Sequence, residues 1–368
     1  MGINCGIVGL PNVGKSTIFT ALTANRVGIE NYPFCTIDPN FGKISVLDER
    51  LYRIAELTKS PGTVPNIIEF VDIAGLVKGA SRGEGLGNQF LGHIRQVDAI
   101  VHVVRCFENE NVAHVNSENI DPVHDIDTVE MELILADLEV VEKRVENIQK
   151  YLKSSDKELV KRTRRSIPVL ERIKRDLNDE KPLRLVDLSM DEIETIRDLN
   201  LLTIKPVLYV CNADGNSSEN HNMQKVLKRA NAERAQTIII DGKLESEISL
   251  LPSVEEKKEF VEMMGYEESG LSCLVKASYK LLNLITYFTT NERETRAWTL
   301  SMGRTVYEAA GQIHTDFQRG FIRAEVISSA DFFKYGDELK VRDAGKLRVE
   351  GRDYLVQDGD IIYIRFNV

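Results

Sequence analysis

Residues Gly9-Leu10-Pro11-Asn12-Val13-Gly14-Lys15-Ser16-Thr17 form the pattern GxxxxGK[ST] directly behind an apolar run, Ile3 to Val8. This pattern asks for a buried strand, a tight loop and a helix that begins near the lysine. The residue types follow from the chemistry. Glycines let successive backbone N–H groups curl around phosphate oxygens, and the positive N-terminal end of the helix faces the same oxygens. In such a loop Asn12, Val13, Gly14, Lys15, Ser16 and Thr17 line a nucleotide's phosphates. Lys15 then reaches the β- and γ-phosphates, and the Ser16 hydroxyl is offered to Mg²⁺.

The parts that should accompany a phosphate loop follow in order. The runs Ile67 to Val71, Ala99 to Val104 and Leu208 to Cys211 are short, apolar and rich in β-branched residues, which suits a parallel sheet covered on both faces. We therefore expect an α/β fold, a P-loop NTPase with a doubly wound, mostly parallel sheet. The first of these runs leads into Asp72-Ile73-Ala74-Gly75. An acidic residue at the carboxyl end of a strand beside the phosphate loop is placed to hold Mg²⁺, and Gly75 leaves its N–H free to meet a γ-phosphate. Upstream, Thr36 in the polar loop Tyr32-Pro33-Phe34-Cys35-Thr36 is a candidate third Mg²⁺ ligand once triphosphate is bound. Oxidation of the adjacent Cys35 would disturb that ligand. Each of these signals is weak alone; their order behind the phosphate loop gives them weight.

At 368 residues the chain exceeds the size at which single cores stop growing, so two or three domains are expected. Five scattered cysteines without CxxC spacing argue for reduced thiols and against a zinc site or disulfide framework. No secretory leader pattern and no apolar run of membrane length is present, so the expectation is a cytoplasmic protein, monomeric and without membrane contact. A net charge of −10 argues against indiscriminate nucleic-acid binding by the whole surface.

The charge is unevenly spread. Between Lys143 and Arg175 stand 12 Lys and Arg against 4 Asp and Glu. The stretch overlaps a heptad seam, Ile134, Leu138, Val141, Val145, Ile148 and Leu152, with charged outer positions. Leu170, Ile173 and Leu177 can return as the second arm of a helical hairpin, with Pro168 starting or kinking that arm. Such a one-sign excess on an acidic protein suits a phosphate-backbone contact surface. Because apolar strand character resumes at Ile204, the hairpin reads as an insertion. The expected division is 1–127 with 204–283 for nucleotide binding, 128–203 for the insertion and 284–368 for a C-terminal module. That module combines a short helix at Tyr307-Glu308-Ala309-Ala310 with strand-like runs Phe321 to Ile327 and Asp360 to Phe366.

Several of these motifs together resemble the YchF family of Obg-like ATPases, which are related to translation GTPases. They are Gly-Leu-Pro-Asn-Val-Gly-Lys-Ser, Asn31 to Thr36, Asp72 to Ala80, His314-Thr315-Asp316-Phe317 and Gly320-Phe321-Ile322-Arg323-Ala324, so the resemblance runs through the whole chain. It implies a coiled-coil insert and a C-terminal ubiquitin-like β-grasp, or TGS, domain. It also implies association with the ribosome and its RNA, and hydrolysis of ATP in preference to GTP, with Phe34 among the nucleotide-binding residues.

Two departures bear on base and water. GTPases carry NKxD after the strand at Leu208, and its aspartate accepts two hydrogens from guanine; here the segment is Asn212-Ala213-Asp214-Gly215. Asn212 and Ala213 are expected to border the base, without strict guanine recognition. The next loop, Asp241-Gly242-Lys243, stands where relatives tend to show Ser-Ala-Lys. Ras-like enzymes orient the attacking water with a glutamine directly after DxxG, whereas this position is Leu76, which cannot hydrogen-bond through its side chain. His114 is one candidate replacement; a monovalent cation such as K⁺, supported by Asn12, is the other. The expected catalytic set is thus Lys15, Gly75 and His114. The expected activity is Mg²⁺-dependent hydrolysis of ATP, with GTP also open, coupled to ribosome binding. The alternatives are a conventional translation GTPase and a nucleotide-gated ribosome adaptor with negligible turnover.

Overall fold

The computed structural model describes residues 3–24, 40–73, 75, 87–109, 120–215 and 220–367. By internal contacts the described parts of 1–24, 38–42 and 69–274 form one unit, and those of 43–68 and 275–368 form another. Strands run in the order β1 (Asn4–Val8), β2 (Phe41–Val46), β3 (Gly62–Val64), β4 (Asn66–Asp72), β5 (Ala99–Arg105), β6 (Val207–Asn212), β7 (Gln236–Ile240), β8 (Leu284–Thr290), β9 (Glu294–Ser301), β10 (Phe321–Ser328), β11 (Arg348–Glu350) and β12 (Asp360–Phe366). The helices used below are α1 (Lys15–Ala24), α2 (Glu49–Thr58), α3 (Gly87–Gln96), α4 (Pro122–Glu146), α5 (Ile148–Leu152), α6 (Lys157–Asn178), α7 (Met190–Ile196), α8 (His221–Glu233), α9 (Gly242–Ser249), α10 (Val254–Met263), α11 (Gly270–Leu281) and α12 (Val306–Ile313).

The first sheet has the order β2-β4-β1-β5-β6-β7. β1 pairs in parallel with β4 and β5, and β6 pairs in parallel with β5 and β7. Every residue of β5 and β6 is buried, as expected of apolar, β-branched strands covered on both faces. The four strands read from the sequence are present to within a few residues, and the sheet resumes at Val207. A parallel sheet of this kind aligns the carboxyl ends of its strands, where α/β folds bind their ligands.

Between β5 and β6 stands the helical insertion. Ile134 and Val141 of α4 and Ile148 of α5 are buried against Leu170, Ile173 and Leu177 of α6, with Leu138, Val145 and Leu152 partly buried beside them. The seam is broken once, at Asn147 between α4 and α5. Pro168 does not start the return arm: α6 begins at Lys157, where the Asp156 carboxylate caps Glu158 N–H at 2.9 Å and Leu159 N–H at 3.2 Å. The proline therefore sits inside a helix already anchored by its cap, forgoing one backbone hydrogen bond. At the base of the hairpin the wholly buried Asp137 accepts from Leu202 N–H, Thr203 N–H and Thr203 Oγ1, each at 2.8 Å. Burial pushes its pKa up while those three donors oppose the shift. Arg184 is buried against Glu130 of α4, with Glu233 of α8 at 3.7 Å, so the insertion is fastened to the sheet's covering helix by charge as well as by packing.

The second sheet has the order β11-β10-β12-β8-β9-β3. β8 and β9 form an antiparallel hairpin, and β12 lies parallel to β8 and antiparallel to β10. The last strand thus lies between the first and third strands of the module, with α12 across the face. Val306, Ala309 and Ala310 of α12 share a core with Tyr287, Phe321 and Ile362. This is a β-grasp. Two elements not read from the sequence join it. β3 adds a parallel edge strand, pairing Gly62 with Glu294 and Val64 with Arg296, and α2 contributes Leu51 and Ile54 to a core with Phe288 and Phe332. Arg50 of α2 holds Asp358 at 2.7 Å, and Asp358 also accepts Thr286 N–H at 2.8 Å. Among the described residues no helix is long and apolar enough to cross a membrane.

Candidate nucleotide-binding site

The loop between β1 and α1 is shaped by its glycines. Gly14 has φ +99°, and a Cβ there would lie 2.1 Å from Asn212 Nδ2; at Gly9 a Cβ would lie 2.4 Å from the Val103 carbonyl oxygen. Neither position tolerates a side chain, so the loop lies against β5 and β6 in a way open only to glycine. Asn12 adopts φ +63° at the exposed turn of the loop, and Val13 is buried. Ser16 and Thr17 are exposed in the first turn of α1.

Lys15 is 7% exposed, with Nζ donating to the Leu10 carbonyl oxygen at 2.8 Å. Burial pushes its pKa down to about 8, against the opposing pull of Asp72. Ser16 Oγ donates to Asp72 Oδ2 at 3.2 Å. The other carboxylate oxygen, Asp72 Oδ1, is buried and has no hydrogen-bond partner among the described residues. Burial raises the Asp72 pKa; the Ser16 hydrogen bond and the Lys15 charge work the other way. An ammonium, a hydroxyl and a carboxylate with one open oxygen thus converge at the carboxyl ends of β1 and β4. That donor set fits Mg²⁺, which takes one or two carboxylates and keeps water and phosphate in its remaining positions. Among the described residues no cluster of three or more His, Cys, Asp or Glu suits a metal held by protein alone. Gly75 closes the site: a Cβ there would stand 3.2 Å from both Lys15 Nζ and Pro11 N.

Across the sheet, the Asn212 side chain ties two loops together. Its Nδ2 donates to the Val13 carbonyl oxygen at 2.9 Å and its Oδ1 accepts from Gly242 N–H at 3.0 Å. Ala213 is buried, its N–H donating to the Ile240 carbonyl oxygen at 3.0 Å. Asn212 therefore meets the phosphate loop through its side chain, a bracing role not read from the sequence. Asp241 was singled out in the sequence only as part of the loop Asp241-Gly242-Lys243, with no role of its own. It caps α9 by accepting from Lys243 N–H at 3.1 Å and Leu244 N–H at 3.0 Å, and its second oxygen accepts from Gly215 N–H at 3.1 Å. An aspartate just ahead of a helix is a capping signal; its reach to Gly215 is visible only in three dimensions. Phe34, Cys35, Thr36, Leu76 and His114 lie outside the described residues.

The comparisons with known proteins agree along the chain. Residues 4–160 match the family described as 50S ribosome-binding GTPase, and 284–367 match the YchF GTPase C-terminal family, described as a protein of unknown function. A protein from Bacillus subtilis (strain 168), named ribosome-binding ATPase YchF, is 50% identical with all of both chains covered. The chain belongs to the YchF family. A family member of the same name from Escherichia coli O157:H7 is 48% identical, again over the whole of both chains. The solved structure of the Schizosaccharomyces pombe YchF GTPase superposes with a TM-score of 0.88 at 36% identity, covering 99% of this chain and 98% of that one. The phosphate loop, the helical insertion and the β-grasp described above are thus the parts of a shared, full-length architecture.

Proposed function

We propose that the protein is a Mg²⁺-dependent P-loop ATPase of the cytoplasm, acting as a monomer, whose nucleotide state governs its contact with the ribosome. One observation carries the enzymatic part: Lys15, Ser16 and the half-satisfied Asp72 carboxylate face one point at the strand ends. In this reading Lys15 neutralises the β- and γ-phosphates, and Ser16, Thr36 and Asp72 hold Mg²⁺. Mg²⁺ would supply charge neutralisation on the transferred phosphoryl group. Asn12, Val13, Gly14 and Thr17 cradle the phosphates, and Phe34 and Ala213 border the nucleoside. Gly75 offers its N–H to the γ-phosphate. His114 positions water, with a monovalent cation such as K⁺ beside Asn12 as the other means of supplying that step. The functional partition is 1–127 with 204–283, 128–203 and 284–368.

ATP is favoured over GTP because position 215, where GTPases place the guanine-reading aspartate, is a glycine at φ +69°. The match to a ribosome-binding GTPase family keeps a GTP-hydrolysing reading in play. Displacement of one labelled nucleotide by ATP and by GTP, followed by hydrolysis of each, separates the two. Tighter binding of ATP supports the proposal, and a tenfold or greater preference for GTP overturns it.

For the ribosome, the insertion offers a basic groove. Lys157, Lys161, Arg164 and Arg165 of α6 line it with Leu152 and Val160, and no described residue forms an ion pair with any of those four cations. Arg162 differs, standing 3.5 Å from Asp198. Charge of this kind fits ribosomal RNA phosphates, and each cation lost should flatten the salt dependence of binding by about one unit. Reversing Lys161, Arg164 and Arg165 to glutamate should weaken co-sedimentation with ribosomes and leave ribosome-free hydrolysis intact. Undiminished pelleting across a salt titration would move the contact elsewhere in the protein.

A further inference from the structure

The loop pair beyond the phosphates has an unusual assignment of charge. In GTPases the carboxylate stands after the strand equivalent to β6 and the small polar residue after the next. Here position 215 is a glycine, preceded by the exposed Asp214, and an acidic residue, Asp241, follows β7. Among the described residues nothing stands within 4 Å of a would-be Cβ at Gly215, whose φ is +69°, and left-handed backbone is not a glycine's sole option. What holds it is Asp241 Oδ2, which accepts its N–H at 3.1 Å. The other oxygen of the same carboxylate takes the two backbone N–H groups at the start of α9. Asp241 therefore welds the loop after β6 to a helix end, and a helix end is rigid where a glycine loop is not.

The neighbouring polar side chain is committed in the same manner. Asn212 bonds Val13 and Gly242 through opposite ends of its amide. Gly242 has little room for anything else, since a Cβ there would sit 3.1 Å from Asn212 Oδ1. Both polar side chains that link these loops are thus engaged by backbone groups and are not aimed outward to read a ring edge.

We propose that Asp241 is a positioning residue for base selection: by clamping Gly215 it presents the backbone of residues 213–215 to the purine and so favours adenine, without itself contacting the base. The inference rests on the nucleotide-binding reading above. Adenine's edge offers one donor beside one acceptor, a pair that a fixed peptide N–H and carbonyl can match, whereas guanine's two adjacent donors call for a carboxylate. A loose loop matches neither edge well, because the ordering cost then falls on binding.

Three variants of the full-length protein test this, with ATP and GTP affinities, kcat and KM measured for each. Asp241→Ser keeps a helix-capping oxygen but cannot also span to Gly215. Asp241→Asn keeps the shape but cannot present acceptors to both the helix and Gly215. Gly215→Ala strains the left-handed turn while leaving the clamp in place. Asp241→Ser and Asp241→Asn should each raise KM for ATP about tenfold, the size expected for losing a hydrogen bond to a charged group. They should bring the ATP and GTP affinities closer together, with thermal stability and saturated kcat close to the parent's. Gly215→Ala should shift the affinities in the same direction. If Asp241→Ser keeps both affinities within twofold of the parent, Asp241 is a helix cap only and the inference is wrong. A loss confined to GTP would also overturn it, since Asp241 would then be reading guanine directly. Failure of the parent to bind either nucleotide would instead remove the nucleotide-binding reading on which it rests.

Discussion

Two buried polar clusters, one in each unit, are built in opposite ways. The one in the β-grasp unit is a closed circuit: Tyr279 OH meets Asn66, Thr286, Thr299 and the Ile285 carbonyl oxygen at 3.1 to 3.2 Å, and Asp358 serves both Arg50 and Thr286. In the first unit, at the carboxyl ends of the parallel strands, the circuit is open. Among the described residues Asp72 Oδ1 has no partner, and the buried Lys15 donates to one carbonyl oxygen. Buried polar atoms left unsatisfied cost stability. In the proposed reading a nucleotide with Mg²⁺ completes the set at Asp72, whereas the Tyr279 and Asp358 clusters serve the fold alone.

The largest effect that could break this contrast is on catalysis. Lys15→Ala should lower ATP hydrolysis by about a hundredfold or more, the scale seen when one charge-stabilising donor is removed from a transition state, while the thermal midpoint stays near the parent's. Loss of folding instead would make Lys15 a structural residue like those of the β-grasp.

Next in size is a pH effect. Burial holds Lys15 near pKa 8 in the free protein, and bound phosphate should restore its proton affinity. Raising pH from 7 to 9 should therefore weaken ATP binding by about tenfold, since a one-unit pKa change is worth about 1.4 kcal/mol. Lys15→Arg should flatten that profile, as guanidinium stays charged. The linkage to stability has the opposite sign: between about pH 8 and the ordinary lysine value near 10.4, the unfolded chain binds more protons, so the free protein gains stability as pH rises. A Kd that is level from pH 7 to 9 would show that Lys15 does not carry the phosphate charge.

The smallest effect lies in the other unit. Asp358→Ala removes the half-exposed partner of Arg50 and the acceptor of Thr286 N–H, and should cost about 1 kcal/mol in denaturant unfolding. Its ATP affinity and kcat should match the parent's. A changed Kd would mean that the β-grasp circuits also serve the nucleotide.

Much of this was legible in residue order. The phosphate loop, Asp72 and the heptad seam of the insertion are local patterns whose spacing alone implies strand, loop or helix, and the structure places them accordingly. What escaped were attachments across long stretches of chain. Nothing local to Arg50 or Gly62 signals their partners, because Asp358 lies 308 residues beyond Arg50, and one ion pair and three strand residues carry no periodicity. Pro168, read as starting or kinking the return arm, does not start it. Its ring suits a helix start, but Asp156, twelve residues earlier, caps the start and the seam of Leu170, Ile173 and Leu177 carries the helix through. Asp241 was noted in the sequence only for its place in the loop after β7; its role as a clamp was hidden, since its second partner is on another strand's loop.

The central claim is that the open oxygen of Asp72 awaits a magnesium–nucleotide complex. Titrating ATP into the parent and into Asp72→Asn, each with and without Mg²⁺, tests it most directly. Mg²⁺ should tighten ATP binding to the parent by at least about tenfold, and that gain should vanish in Asp72→Asn, where a neutral amide replaces the carboxylate. An equal Mg²⁺-dependent gain in both proteins would contradict the account.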